Sequence, residues 1–324
     1  MTDNITPRQA KPTVLIIVGP TAVGKTAFSI AAAKRFDGEI LSADSMQIYR
    51  GMDIGTAKVT PEEMEGIPHY GLDLIDPDES YTVVEFQAYA DRVIRDIWNR
   101  GKLPVVVGGT MLYVKSLTDH LDFTEAKEDP AFRDEMYQLA EQEGADVVYA
   151  RLQEVDPESA SRLHPNDVKR VIRALEVHRV TGVPMSQAYK EAPPEPKYDV
   201  ILVGLNLEDR AHLYERINRR VDIMMEQGLL EEVRRLLDSG YHRDLQSMAA
   251  IGYKEIIDYY EGRMTLEEAV DAIKQGSRRY AKRQLSWWRR EELVRWYDPE
   301  QVSIPLRLQE INQILEGISR GVSE

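Results

Sequence analysis

The residues with the clearest chemical purpose are Gly19, Pro20, Thr21, Ala22, Val23, Gly24, Lys25 and Thr26, which fit the phosphate-loop pattern G-x-x-x-x-G-K-S/T. Glycine lets successive backbone N–H groups curl around phosphate oxygens, lysine adds a full positive charge, and the hydroxyl of Thr26 is a ligand for Mg²⁺. A helix starting at the lysine would add the positive end of its dipole. Together the eight residues form a cradle for a diphosphate. The second candidate is Asp44, which is delivered at the carboxyl end of a strand read at 39–43 and is expected to face the loop from the neighbouring strand end, where a carboxylate can serve as general base.

The loop alone does not choose a reaction. A GTPase would carry a guanine-reading N-K-x-D and a D-x-x-G switch, and neither is present. An ATPase usually ends a later apolar strand in an acidic residue, but the run 104–107 ends in Gly108-Gly109-Thr110. A phosphate loop with an aspartate on the second strand also suits a small-molecule or nucleotide kinase, which is the alternative reading.

The elements that must position these groups are legible in the hydrophobic pattern. Residues 13–18 are continuously apolar, as in a strand buried on both faces of a parallel sheet. A helix follows from Lys25 with Phe28, Ile30, Ala31 and Ala32, and 39–43 is the next strand. Thr82 and Glu85 make a capping box ahead of a helix whose apolar stripe is Val83, Phe86, Ala90, Val93, Ile94 and Ile97, closed by Gly101. Residues 104–107 form another strand, and a further segment starts at Thr110. Alternating strands and helices predict an α/β fold with a parallel sheet.

Between about 125 and 196 the strand signals disappear and the chain becomes charged and helical. Asp129-Pro130 and Asp156-Pro157 pair a cap with proline at the first helical position, and Pro193-Pro194-Glu195-Pro196 reads as a stiff linker. The apolar run 200–205 then re-enters the parent sheet, followed by helices near 209–227, 229–238 and 265–292, the last opened by a capping box of Thr265 and Glu268. The expected organisation is a core of 1–124 and 197–324 interrupted by a helical insertion, 125–196.

Composition narrows the chemistry. The chain of 324 residues has no cysteine, which removes disulfides, thiolate nucleophiles and Cys-based zinc sites. Its six histidines, His69, His120, His164, His178, His212 and His242, lack metal-site spacing. No apolar run approaches a membrane span, and the polar start, Met1 to Lys11, lacks the apolar stretch of a signal peptide, so a cytoplasmic location is expected. The net charge of −14, from 41 basic and 55 acidic residues, disfavours nucleic acid unless the basic residues are segregated. Two clusters meet that condition: Lys169, Arg170 and Arg173, and Arg278, Arg279, Lys282, Arg283, Arg289 and Arg290, with Trp287 and Trp288 interleaved.

Several longer segments carry a family resemblance. The phosphate loop is joined by Ser42-Ala43-Asp44-Ser45-Met46-Gln47-Ile48-Tyr49, Gly51-Met52-Asp53-Ile54-Gly55-Thr56-Ala57-Lys58, Gly108-Gly109-Thr110-Met111-Leu112-Tyr113, His164-Pro165-Asn166-Asp167, Ile251-Gly252-Tyr253-Lys254 and Tyr280-Ala281-Lys282-Arg283-Gln284. In this order, over roughly 13–297, the chain resembles the tRNA dimethylallyltransferases. The resemblance implies a P-loop NTPase-like sheet and transfer of a dimethylallyl group from dimethylallyl diphosphate to the N6 amino group of the adenosine 3′ to the anticodon, with Mg²⁺ as cofactor. It implies that Asp44 takes the proton of the attacking amine, that Thr21 and Arg220 hold the diphosphate, and that the adenine is extruded into a pocket. Carried over by position, Asp44, Ser45, Met46, Gln47, Thr110, Lys169, Arg170, Arg173, Lys282, Arg283 and Arg289 would line the tRNA side, with Gln47 reading flanking bases. Taken without the resemblance, Arg216 and Arg220 are a solvated face on a helix whose core side is Leu213, Ile217, Val221 and Met224. Eukaryotic relatives often add a zinc finger, so a cysteine-free chain resembles the short bacterial form. Some members place an arginine where this chain has Met248-Ala249-Ala250, and no tRNA contact is carried over there. The default expectation is a monomer.

Overall fold

The structure, a computed structural model, describes residues 11–119, 128–188 and 196–321, with side chains as far as 318 in the last stretch. The first stretch holds β1 (Thr13–Val18), α1 (Lys25–Arg35), β2 (Gly38–Ser42), β3 (His69–Tyr70), α2 (Val83–Asn99), β4 (Leu103–Val107) and α3 (Met111–Thr118). The second holds α4 (Pro130–Glu143), α5 (Ala145–Val155), α6 (Pro157–Arg162), α7 (Val168–Thr181) and α8 (Met185–Ala188). The third holds β5 (Asp199–Leu205), α9 (Arg210–Glu226), α10 (Leu229–Asp238), α11 (Tyr253–Tyr260), α12 (Leu266–Trp288), β6 (Arg295–Tyr297) and α13 (Ile304–Gly321). The chain divides into two compact units, one from the residues up to Thr118 together with those from Pro196 on, the other from the residues between. The residue at the expected insertion boundary, Glu125, and most of the proline linker, Pro193 to Glu195, lie outside the described residues.

The first unit is built on a six-stranded sheet with every pairing parallel and the order β3-β2-β4-β1-β5-β6. All six residues of β1 are buried, as an unbroken apolar run requires when helices cover both faces. The run at 200–205 does rejoin this sheet, with β5 pairing β1 from Thr13↔Asp199 to Val18↔Gly204. One expectation fails: β2 is not the neighbour of β1, because β4 lies between them. Asp44 therefore reaches towards the phosphate loop across the end of β4. The helix expected to run to 292 stops at Trp288, leaving Arg289 as its C-cap and Arg290 beyond it.

One face of the sheet packs Leu15, Ile17, Val105 and Val203 with Phe28, Leu213, Ile217 and Ile311; the other packs Val14, Ile16 and Val106 with Phe86, Ile94, Tyr113 and Trp288. Both capping boxes form, at Thr82 with Glu85 and at Thr265 with Glu268. Trp288, interleaved with the basic residues of α12, is 1% exposed and belongs to the core.

Glu39 is the one charged residue of β2. It is 3% exposed, and its oxygens accept from Arg100 Nη1 and Nη2, both at 2.6 Å, and from the Tyr70 hydroxyl at 2.9 Å. The hydrogen bonds from Arg100 outweigh burial and pull its carboxyl down to about 2. A carboxylate depressed in this way stabilises the fold above its unfolded value of 4.5, and the contribution is lost as pH falls from there towards 2. Glu39→Gln should therefore be clearly less stable than the parent at pH 7, with the gap narrowing progressively below about pH 4.5. Urea denaturation across that range checks it; a gap constant with pH would contradict the ion-pair account.

The second unit, among its described residues, is all helix, with a core of Met136, Val148, Leu152, Val171, Ile172 and Leu175. Asp129 caps α4 by accepting from Phe132 N at 3.0 Å, and the buried Asp156 accepts from Ser159 N at 3.0 Å and Ser186 N at 2.9 Å, joining the starts of α6 and α8. Its buried Glu176 is neutralised by Arg133, at 2.8 Å, and by Arg173.

Candidate active site

The phosphate loop owes its path to glycine. Gly19 has φ 144°, and a Cβ there would lie 2.4 Å from the carbonyl oxygen of Leu205 at the end of β5. Gly24 has φ 104° and is the left-handed N-cap of α1, with no side chain capping the helix. The first-turn N–H groups thus have no side-chain acceptor, which is the condition a helix start must meet to receive an anion. Thr21 N already donates, to Gln284 Oε1 at 3.0 Å.

Lys25 curls back over its own loop, its Nζ donating to the carbonyl oxygens of Gly19 at 3.1 Å and Pro20 at 2.7 Å. Burial, then the charge of Arg220, lower its pKa to about 7, against the opposing pull of Asp44. Arg220 comes from α9, anchored by the buried Leu213, Ile217 and Val221; Met224 at the end of that stripe is only partly buried. Burial pulls the Arg220 pKa down, partly offset by Asp44 and Glu63. Its neighbour Arg216 lies 3.4 Å from Glu300, whereas Arg220 makes no ion pair within 4 Å among the described residues. Its charge is available to a ligand.

Asp44 is held by local bonds. Its Oδ1 accepts from Met46 N at 2.9 Å, and Ser45 N donates to Thr110 Oγ1 at 2.9 Å, which fastens the loop after β2 to the start of α3. Gln47 is similarly engaged: Ser42 Oγ donates to its carbonyl oxygen at 3.0 Å, and its amide nitrogen lies 3.3 Å from the carbonyl oxygens of Thr56 and Ala57. Both amide hydrogens are used, leaving one acceptor lone pair for a base.

The wall opposite comes from α12, where Gln284, 1% exposed, links Thr21 N to the carbonyl oxygen of Gly109, 3.0 Å from its Nε2. Tyr280, one turn earlier, donates to the same oxygen at 3.2 Å; burial and the nearby Asp44 charge raise its pKa, so it stays a neutral donor. These two residues belong to a motif quoted from the sequence, yet only Lys282 and Arg283 between them were expected to function. The signal was present: Gln284 is the polar member of the buried stripe Ala281, Gln284, Leu285 and Trp288.

Thr21, Lys25, Thr26, Asp44, Gln47, Arg220, Tyr280 and Gln284 open on one cavity of about 980 Å³. Glycine at the end of β4 is what lets Asp44 share it. A Cβ on Gly108 would meet the carbonyl oxygen of Ala43 at 2.2 Å, and one on Gly109 would meet Gln284 Nε2 at 2.1 Å. The missing late-strand carboxylate thus has a steric reason. Among the described residues no cluster of three or more His, Asp or Glu could hold a metal by itself. Thr26 lines the cavity with one hydroxyl, which fits Mg²⁺, an ion that keeps several waters and takes its other ligands from phosphate oxygens.

A family model described as IPP transferase matches residues 47–291. The chain belongs to the IPP transferase family. Among similar IPP transferases, the tRNA dimethylallyltransferase of Bacillus cytotoxicus is 55% identical over 285 residues, covering 88% of this chain and 90% of that one. That of Bacillus subtilis (strain 168) is 54% identical over 288 residues, 89% and 91% of the two chains. The crystal structure of the full-length tRNA isopentenylpyrophosphate transferase from Bacillus halodurans matches with a TM-score of 0.71 at 46% identity, covering 97% and 98%. A eukaryotic dimethylallyltransferase captured acting on tRNA matches with a TM-score of 0.75 at 33% identity, covering 85% of this chain and 69% of that one. These relatives do not favour the kinase alternative.

In this IPP transferase the expected tRNA-side residues separate by position. Asp44 and Gln47 line the cavity. Ser45 and Thr110 bond each other beside it, and Met46 packs with the cluster around Ile48 and Met52. Lys282, Arg283 and Arg289 are exposed, on and just after α12. In the second unit Lys169 and Arg170 are exposed on α7, Arg170 being 3.1 Å from Asp167, whereas Arg173 is bound to the buried Glu176. Gly108→Ala should lower stability by about 1–3 kcal/mol through overpacking against rigid backbone. It should also lower turnover, because the displaced atoms are those that lead into Asp44. Thermal melting and turnover measured together check this; unchanged values in both would mean that the close contact relaxes freely.

Proposed function

We propose that this chain transfers a dimethylallyl group from dimethylallyl diphosphate to N6 of the adenosine 3′-adjacent to the anticodon in tRNA, releasing diphosphate. The observation that carries the reading is that Asp44 opens on the same cavity as the Lys25–Arg220 phosphate cradle. An exocyclic adenine amine is a poor nucleophile, because its lone pair is conjugated into the ring. A carboxylate within hydrogen-bond reach supplies the base that water lacks. As the N6–C1 bond forms, the C1–O bond breaks, its electron pair leaves with the diphosphate, and the N6 proton passes to Asp44.

Lys25, Arg220 and the free N–H groups at the start of α1 meet the charge that grows on the leaving oxygen. Thr26 would hold Mg²⁺, which when bound supplies further neutralisation of the diphosphate. Thr21, fixed by Gln284, shapes the loop around that group. The exposed Lys282, Arg283 and Arg289, and on the insertion Lys169 and Arg170, are the residues we assign to the tRNA backbone. Gln47 accepts from a flanking base through its one remaining lone pair. No helix among the described residues is long and apolar enough to cross a membrane, and we take the enzyme to act as a cytoplasmic monomer.

Incubation with radiolabelled dimethylallyl diphosphate and unmodified tRNA, followed by mass spectrometry of the nucleosides, tests the reading. Label on the adenosine beside the anticodon supports it. ATP consumption with no label in tRNA overturns it in favour of phosphoryl transfer.

A further inference from the structure

Glu232, on the first turn of α10, is a carboxylate only 1% exposed and has no basic partner within 4 Å among the described residues. Its charge is met by hydrogen-bond donors alone. Oε2 accepts from the backbone N–H of Asp53 at 3.0 Å and of Ile54 at 2.8 Å; Oε1 accepts from Gly55 N at 3.0 Å and from the Tyr253 hydroxyl at 2.6 Å. Four donors occupy the four acceptor sites of a carboxylate. Tyr253 is fully buried, and burial with the Glu232 charge raises its pKa, so its proton stays in this bond. The tyrosine ring lies so close to the loop that a Cβ on Gly55 would meet ring carbons at 2.5 and 2.6 Å. Glycine at 55 is thus the residue that lets the clamp close.

The clamped segment matters because of what it borders. Asp53, Ile54, Thr56, Ala57 and Lys58 all line the cavity that holds Asp44 and Lys25. The carbonyl oxygens of Thr56 and Ala57, immediately after the clamp, are those that face the Gln47 amide, and Gln47 is tied in turn to Ser42 two residues before Asp44. A continuous set of hydrogen bonds therefore runs from Tyr253 and Glu232 through the backbone of 53–57 to the loop that presents the base. Lys58, whose side chain is 6% exposed, holds the far side of the segment by bonding Asp53 and Asp73, both at 2.6 Å.

We propose that Glu232 and Tyr253 are a positioning pair that fixes the wall 53–58 of the substrate cavity and, through Gln47, the placement of Asp44. Neither residue opens on the cavity, so neither touches substrate. The inference rests on the transferase reading for its kinetic consequence, but its structural half is independent of that reading. Glu232→Gln keeps size and shape while turning one acceptor into an N–H donor, which faces a backbone N–H or the tyrosine hydroxyl with a like group.

The test follows backbone hydrogen exchange and steady-state kinetics of the full chain with dimethylallyl diphosphate and tRNA. In Glu232→Gln the amides of 53–55 should exchange at least about tenfold faster while those of Ile16 and Val105 in the sheet stay protected. kcat should fall by about 10²-fold, with KM for tRNA within roughly threefold. Tyr253→Phe, which keeps the ring against Gly55 and removes one donor of four, should show smaller effects of the same kind, with exchange at 53–55 about threefold faster and kcat about tenfold lower. Faster exchange at 53–55 with kcat unchanged in both variants would overturn the proposal. So would loss of protection in the sheet and the loop together in Tyr253→Phe, which would make the pair a general support of the fold. If the parent enzyme transfers no prenyl group, the transferase reading fails by itself, and the exchange data still decide whether the clamp holds the wall.

Discussion

Asp44→Asn should lower kcat by about 10²- to 10⁴-fold while leaving tRNA affinity within roughly twofold. Asparagine is the informative replacement because its Oδ1 can still accept from Met46 N, the bond of 2.9 Å that shapes the turn. The loop keeps its path, and only the proposed proton acceptor is lost. Alanine would remove the turn as well and mix two causes. A second consequence separates this account from a purely geometric one. Asp44 is the group that holds the pKa of Lys25 up against burial and Arg220, so its neutralisation should push Lys25 lower still. The pH above which donor binding weakens should therefore move down in the variant. A protein that retained parental turnover with asparagine at 44 would need another base, and the proposed chemistry would be wrong.

The parts of this site that could be read from the sequence are those whose chemistry is local. A phosphate loop is eight consecutive residues because the anion is bound by consecutive backbone groups, and Asp44 follows its strand directly. The buried strands 13–18 and 200–205 announce themselves as apolar runs, and the helix caps at Thr82, Asp129, Asp156 and Thr265 all form where the side chains placed them. What was not legible depends on partners far away in the chain. Nothing in residues 103–107 says that this strand inserts between the first and second, which is why Asp44 was expected one strand nearer to the loop than it is.

Gln284 and Glu232 show the same limit from the side of function. A glutamine within a buried stripe and a glutamate in the first turn of a helix each have an ordinary local explanation, the latter as a complement to the helix dipole. Their roles depend on backbone that arrives from 263 and about 178 residues away. The two edge strands, of two and three residues, are too short to leave a periodic signal. The last helix is different: Ile304, Leu308, Ile311, Leu315 and Ile318 repeat at helical spacing and pack onto the sheet, so its signal was present and unused.

The other large effect concerns Lys25, whose pKa of about 7 in the free protein makes it a titrating part of the cradle. Below about pH 7 the free site carries the ammonium; above it the amine is mostly neutral. A diphosphate favours the ammonium, so binding above pH 7 should take up close to one proton, and donor affinity should weaken by about tenfold per pH unit in that range. Calorimetry in buffers of different ionisation enthalpy reads the proton directly. Lys25→Met should abolish the uptake and lower kcat/KM by about 10²- to 10³-fold, the range for losing one stabilising donor at a developing charge. The same substitution should raise the melting temperature of the ligand-free protein at pH 7. A lysine whose folded pKa lies below its unfolded value of 10.5 opposes folding fully below about pH 7, and the opposition fades as pH rises towards 10.5. The parent should accordingly gain stability between those limits while the methionine variant does not. Lower activity with higher stability is the signature of a charge kept in the fold for its ligand; a variant that lost both would show Lys25 to be a structural support of the loop through its bonds to Gly19 and Pro20.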